Sequence, residues 1–162
     1  MTLAATGTVR AHRPLGVQIT EGLLILLGVT ALAGGAALVL GLGDGETMAP
    51  LEWLEGLPLI NSWVVPGLVL GIGFGLGSLF VAYGMLRLPE WPWASFLERP
   101  SGHHWSWTAT ILIGLGHMVW ITLELIYLPL SILHFVYGIV GIGLFTLPFI
   151  PSVRDHLRVG IR

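Results

Sequence analysis

The chain has 162 residues, 54% of them hydrophobic and only 10% charged, with a formal charge of −2. A soluble domain carries about 25% charged residues, so a mean hydropathy of +0.85 excludes an ordinary water-facing globule, and the absence of any basic run excludes a nucleic-acid partner. No cysteine is present, which removes disulfides, thiolate metal sites and cysteine nucleophiles.

In chain order, the first basic residues are Arg10 and Arg13, and the first apolar run follows from about Gly22 to Leu42. Its length, about 20 residues, crosses about 30 Å of hydrocarbon as a helix. Ala31-Leu32-Ala33 resembles a signal-peptide cleavage site, but the apolar run continues beyond it and the leader before it is long, so a retained helix is expected. Glu21 falls near the helix N-terminus, where the macrodipole favours a carboxylate. The connection from Gly43 to Ser62 holds Asp44, Glu46, Glu52 and Glu55 without a basic residue. Within it, Pro50 to Gly56 has a proline start and a glycine stop, which predicts a short interfacial helix with Leu51, Trp53 and Leu54 on the membrane.

The second span is predicted from about Val64 to Leu86. Its glycines fall on two smooth faces, Gly67, Gly71 and Gly75 on one and Gly73 and Gly77 on the other. In lipid, where apolar side chains gain nothing by leaving solvent, close backbone packing at such faces holds helices together. They serve either packing within the chain or a homo-oligomer or partner-helix contact. The Gly-x-Gly spacing is no nucleotide loop, since no strand precedes it and no lysine follows. The next connection, Leu88 to Ser106, contains Arg99, Trp91, Trp93, Trp105 and the pair His103-His104. Its tryptophans favour the headgroup layer. The adjacent histidines lack the spacing of a zinc site and are expected to be interfacial.

The third and fourth spans run from about Trp107 to Leu128 and from about Leu130 to Ile150, with a connection so short that the helices must lie antiparallel and adjacent. Pro129 suits the first turn of the fourth helix. Arg154, Arg158 and Arg162 close the chain. The arginines thus mark both ends and the central connection, which predicts a four-helix, all-α multi-pass protein of the plasma (inner) membrane with cytoplasmic termini. A single domain, 1–162, is expected.

Glu124 is the most informative side chain. A carboxylate at hydrocarbon depth costs about 2.5–3.5 kcal/mol even on permissive scales and is a functional candidate by default. His134 lies as far beyond the hairpin turn as Glu124 lies before it, which places the two at similar depth. Tyr137 shares the face of His134, and His117 shares that of Glu124 about 10 Å away along the helix. Three chemistries fit these four residues. One is a structural hydrogen-bonded clasp between helices. The second is a proton-responsive or ligand-binding site, and the third is a metal or haem site, for which the hairpin offers few ligands. A transporter requires a water-filled cavity reaching Glu124, whereas a clasp is dry and packed.

Pro50 to Leu59 with Val65-Pro66-Gly67-Leu68, and Trp120-Ile121-Thr122-Leu123-Glu124 leading to His134-Phe135-Val136-Tyr137, resemble a large group of small four-span bacterial membrane proteins of unassigned activity. The resemblance spans nearly the whole chain and implies fold and topology, with an acidic residue ending the third span and a polar-x-x-Tyr pattern opening the fourth. It supplies no activity and does not extend to His117. The residues point first to a non-enzymatic accessory, scaffolding or small-ligand-binding membrane protein without a cofactor. A small proton-coupled transporter using Glu124 and His134 stands second, and a haem or metal protein third.

Overall fold

The computed structural model describes residues 13–41, 50–54 and 60–159. Arg10, Asp44, Glu46, Glu55, Gly56 and Arg162 lie outside them. Four long helices form the body: α1 (Leu15–Leu40), α2 (Val64–Arg87), and, after a short α3 (Ser95–Ser101), α4 (Trp105–Tyr127) and α5 (Ile132–Thr146). A 3-10 turn continues α5 to Phe149, and a short α6 (Pro151–His156) follows. Among the described residues there is no sheet, only an isolated bridge between His103 and Arg158.

All four long helices are apolar and long enough to span a bilayer. Only 22–33% of each span's most apolar window is buried within the chain, so the remaining leucines, isoleucines and valines, such as Ile139 at 71% exposure, need lipid as their solvent. The helices are neighbours in the ring order α1, α2, α4, α5. Each pair is antiparallel: Gly35 lies against Gly67 and Gly28 against Gly75, Gly84 against Trp105 and Gly77 against Ile113, and Gly114 against Phe145. The start of α1, the end of α2, the start of α4 and the end of α5 therefore share one end of the bundle. That end, the basic end, carries Arg13, Arg87, Arg99, Arg154 and Arg158.

Helix α1 begins about two turns before the predicted start. Pro14 starts it, with Val17 N–H donating to the Pro14 carbonyl at 3.0 Å, and Gly41 ends it in the left-handed region at φ 64°. This early overhang carries Glu21, whose explanation by the dipole alone is incomplete. The Arg13 guanidinium donates to both Glu21 oxygens at 3.1 and 3.3 Å and to the Leu86 carbonyl at 2.9 Å, joining α1 to the end of α2. With Arg13 partly exposed, we expect Arg13→Ala to cost about 1–2 kcal/mol, a charged hydrogen bond discounted for screening. Thermal unfolding in detergent at low and high salt measures it, and salt should shrink the difference.

Helix α2 widens to π geometry over Val69–Leu76, the segment of densest glycine. Gly67, Gly71 and Gly75 all face α1: a Cβ on Gly67 would lie 2.8 Å from the Gly35 carbonyl, and one on Gly75 3.0 Å from Leu32 N. That face is used within the chain. Gly77 looks toward Ile113, and Gly73 has no heavy atom within 4 Å of where a Cβ would be.

The basic end is more ordered than a pair of loops and a tail. Val153 and Leu157 are fully buried, Val153 lies under Gly16, and His104 N–H donates to the Leu157 carbonyl at 2.7 Å. Trp91 stacks on Phe80, Trp93 and Trp105 at 5.4–5.5 Å. The expectation that His103 and His104 are interfacial is corrected here: they are 4% and 2% exposed. His104 Nδ1 accepts from Ser106 N–H and caps α4, while its Nε2 bonds the Pro89 carbonyl at 3.0 Å. The C-terminal segment covers both, through the His103–Arg158 bridge and the His104–Leu157 bond.

Candidate ligand cavity

The third and fourth spans meet as the short hairpin requires, but Pro129 lies outside α5. The helix starts at Ile132 with Ser131 as N-cap, because Ser131 and His134 form a reciprocal capping box. Ser131 N–H donates to His134 Nδ1 at 3.0 Å. A backbone amide can only donate, so Nδ1 holds a lone pair and the proton of the neutral ring is on Nε2. Nε2 faces Glu124 Oε2 at 3.9 Å, which is beyond hydrogen-bond length. The two residues are brought together as their positions in the hairpin predict, without closing into a clasp.

The short bond of Glu124 goes elsewhere. Trp120 Nε1–H donates to Oε1 at 2.7 Å. This partner was missed in the sequence reading, although Trp120 and Glu124 are four residues apart and share a helix face. One carboxylate oxygen is thereby held and oriented while the other faces His134 across a gap.

His117 is two turns nearer the basic end and 2% exposed. Its ring meets Phe74 edge-on at 5.1 Å and Tyr137 at 6.0 Å. The Tyr137 backbone is close enough to influence the ring, but neither ring nitrogen completes a hydrogen bond of ordinary geometry. A buried polar atom left so is uncommon and costly, of order 1–3 kcal/mol. Phe74, which belongs to the π segment of α2, also packs on Trp120 at 5.9 Å. The widened turn thus supplies the ring between His117 and Trp120, as π-bulges often do at functional sites.

All four sequence-nominated residues, His117, Glu124, His134 and Tyr137, line one cavity of about 400 Å³. Its opposite wall is α1, through Leu27, Thr30, Ala31 and Gly34, with Leu70 from α2. Trp53 of the acidic connection also lines it. This corrects the expected interfacial helix over Pro50–Gly56: the described part is a 3-10 turn, Leu51–Leu54, with Leu54 buried at 3% and Trp53 turned to the cavity. A second cavity of about 130 Å³ lies between α2 and α4, lined by Trp63, Pro66 and Val69, and shares Trp120, Glu124 and Leu128 with the first. Trp63 Nε1 is buried there without a hydrogen-bond acceptor.

Cavities of about 300–1,000 Å³ with mostly apolar walls and a few convergent polar groups are the usual shape of small-molecule sites. Among the described residues no three His, Asp or Glu side chains gather to hold a metal ion. No family model matches the chain, and no match was found among curated proteins or solved structures.

Proposed function

We propose that the protein is a non-enzymatic membrane protein that holds a small, largely apolar molecule in the cavity between α1, α4 and α5. The observation that carries this reading is the cavity of about 400 Å³ reaching Glu124, with the buried His117 ring on its wall. A structural clasp would have closed the 3.9 Å gap between Glu124 and His134 and filled the space around it. The basic end, following the arginine rule, faces the cytoplasm, which opens the Glu124 end toward the outer leaflet. A reporter fused to the C-terminus tests this orientation, since only a cytoplasmic reporter agrees with it.

A carrier is the second reading, and one observation favours it: Glu124 borders both cavities, so it stands between the bundle interior and the α2–α4 side. In proteoliposomes a carrier would couple proton uptake to ligand flux, and Glu124→Gln would abolish both.

The binding reading is tested by extraction in mild detergent followed by native mass spectrometry. We expect a retained small molecule in the parent chain. Gly34→Leu should lose it while keeping the melting temperature, because a Cβ at Gly34 meets only Leu70 Cδ2 at 3.4 Å and the added side chain extends into the cavity. Retention of the same molecule by Gly34→Leu would count against this location.

A further inference from the structure

We infer that the cavity selects a lipophilic organic cation, an ammonium carried on an apolar body; this rests on the ligand-binding reading above. Three features of the wall point to it. The first is the carboxylate: Glu124 Oε1 is held by Trp120, and Oε2 has only a ring nitrogen at 3.9 Å. The Arg13 guanidinium pairs with Glu21 at the basic end. A carboxylate at this depth needs a counter-charge to remain ionised, and a bound ammonium supplies it. Arg13, Arg87, Arg99, Arg154 and Arg158 belong to the other end of the bundle and cannot take that place.

The second feature is aromatic. Trp53, Trp120 and Tyr137 line the same cavity as Glu124. Ring faces attract cations, most strongly where water is excluded, and aromatic walls beside a carboxylate are the usual means of recognising quaternary ammonium groups. An anionic ligand would meet Glu124 and these ring faces unfavourably. A neutral hydrocarbon would leave the carboxylate without a counter-charge.

The third is His117. Its ring is nine-tenths buried and more, without a completed hydrogen bond, on the wall of this cavity. Its distance from Glu124, about 10 Å along α4, sets the reach of the apolar body. Ligands with a hydrogen-bonding group at that distance from the ammonium satisfy both.

The test uses two probes of one shape, phenyltrimethylammonium and its uncharged isostere tert-butylbenzene. Binding to the full chain in phosphatidylglycerol nanodiscs is measured by titration calorimetry. The cation is expected to bind about five- to thirtyfold more tightly, the range of about one to two kcal/mol for a desolvated cation on aromatic faces. Glu124→Gln should cut the preference severalfold, toward what the ring faces alone supply, and Glu124→Asp should retain more of it; an unchanged preference in Glu124→Gln would overturn the carboxylate's part in selection. Should Glu124→Gln fail to fold, the Glu124→Asp result and the parent's preference decide. Equal affinity of the two probes for the parent chain overturns the cation inference and leaves the binding reading standing. Failure of both probes to bind overturns both. Two further titrations at equal phosphatidylglycerol content, with the remainder phosphatidylethanolamine or an uncharged glycolipid, identify the source of the ammonium: weaker binding with phosphatidylethanolamine assigns it to a lipid headgroup competing for the site, and equal binding to a free amine.

Discussion

Gly35→Leu is expected to be among the most damaging substitutions in the chain, lowering stability by about 3 kcal/mol or more, the upper range for overpacking a close contact. A Cβ at Gly35 would fall 2.6 Å from the Gly67 carbonyl oxygen, 2.6 Å from Gly71 N and 2.7 Å from Gly71 Cα. All three are backbone atoms of α2, so no rotamer change relieves the clash and the helices must part. The neighbouring residue provides the control. Gly34→Leu has space, and leucine is the better helix former by roughly 0.5–1 kcal/mol, so it should leave the melting temperature level or raise it. Two adjacent glycines with opposite responses would show that the α1–α2 contact, not helix propensity, holds the pair together. Thermal unfolding in one detergent, followed by circular dichroism, makes the comparison; similar losses at both positions would contradict the packing described.

The second large effect is expected at Gly114, where α4 crosses α5. A Cβ there would lie 2.5 Å from Phe145 N and 2.8 Å from the Leu144 carbonyl carbon. Gly114→Val should cost about 2–3 kcal/mol by forced separation of the hairpin helices. It should also weaken ligand binding, because Gly114 shares a helix face with His117, Ile121 and Glu124, and moving that face moves one wall of the cavity. Gly138, also on α5, has no heavy atom within 4 Å of where a Cβ would be, and Gly138→Ala should change neither property. Paired stability and titration measurements on the two variants separate a hairpin contact from a general effect of losing glycine.

These two glycines also show what the sequence made legible. Gly67, Gly71 and Gly75 stood out by their spacing of four, and their face is where α1 approaches. The partner, Gly35, and the equivalent contact at Gly114 carry no such periodic signal, since one glycine suffices where the facing backbone is already smooth. The four spans were readable because lipid demands long unbroken apolar helices, and the arginine clusters gathered the correct ends. Helix starts were less readable: α1 begins at Leu15 because Pro14 starts it, and α5 begins at Ile132 because Ser131 and His134 cap each other. Hydropathy sees neither. Glu124, His117, His134 and Tyr137 were all placed by helix periodicity and the short turn. The cavity between them was not, because it depends on how α1 and Trp53 complete the far wall, and no local pattern encodes empty volume.

The chain contains no cysteine, so the cavity can be probed directly with introduced thiols. Thr30 and Thr110 are both helical threonines bonded back one turn, to Leu26 and Ser106 respectively; Thr30 lines the cavity, whereas Thr110 is fully buried in the packed interior. With a small water-soluble methanethiosulfonate reagent added to the folded protein, Thr30→Cys is expected to label and Thr110→Cys to stay inert, with labelling of Thr30→Cys slowed by phenyltrimethylammonium. Equal inertness of the two thiols would mean that the space beside Glu124 is closed and packed, and the binding function proposed for it would be wrong.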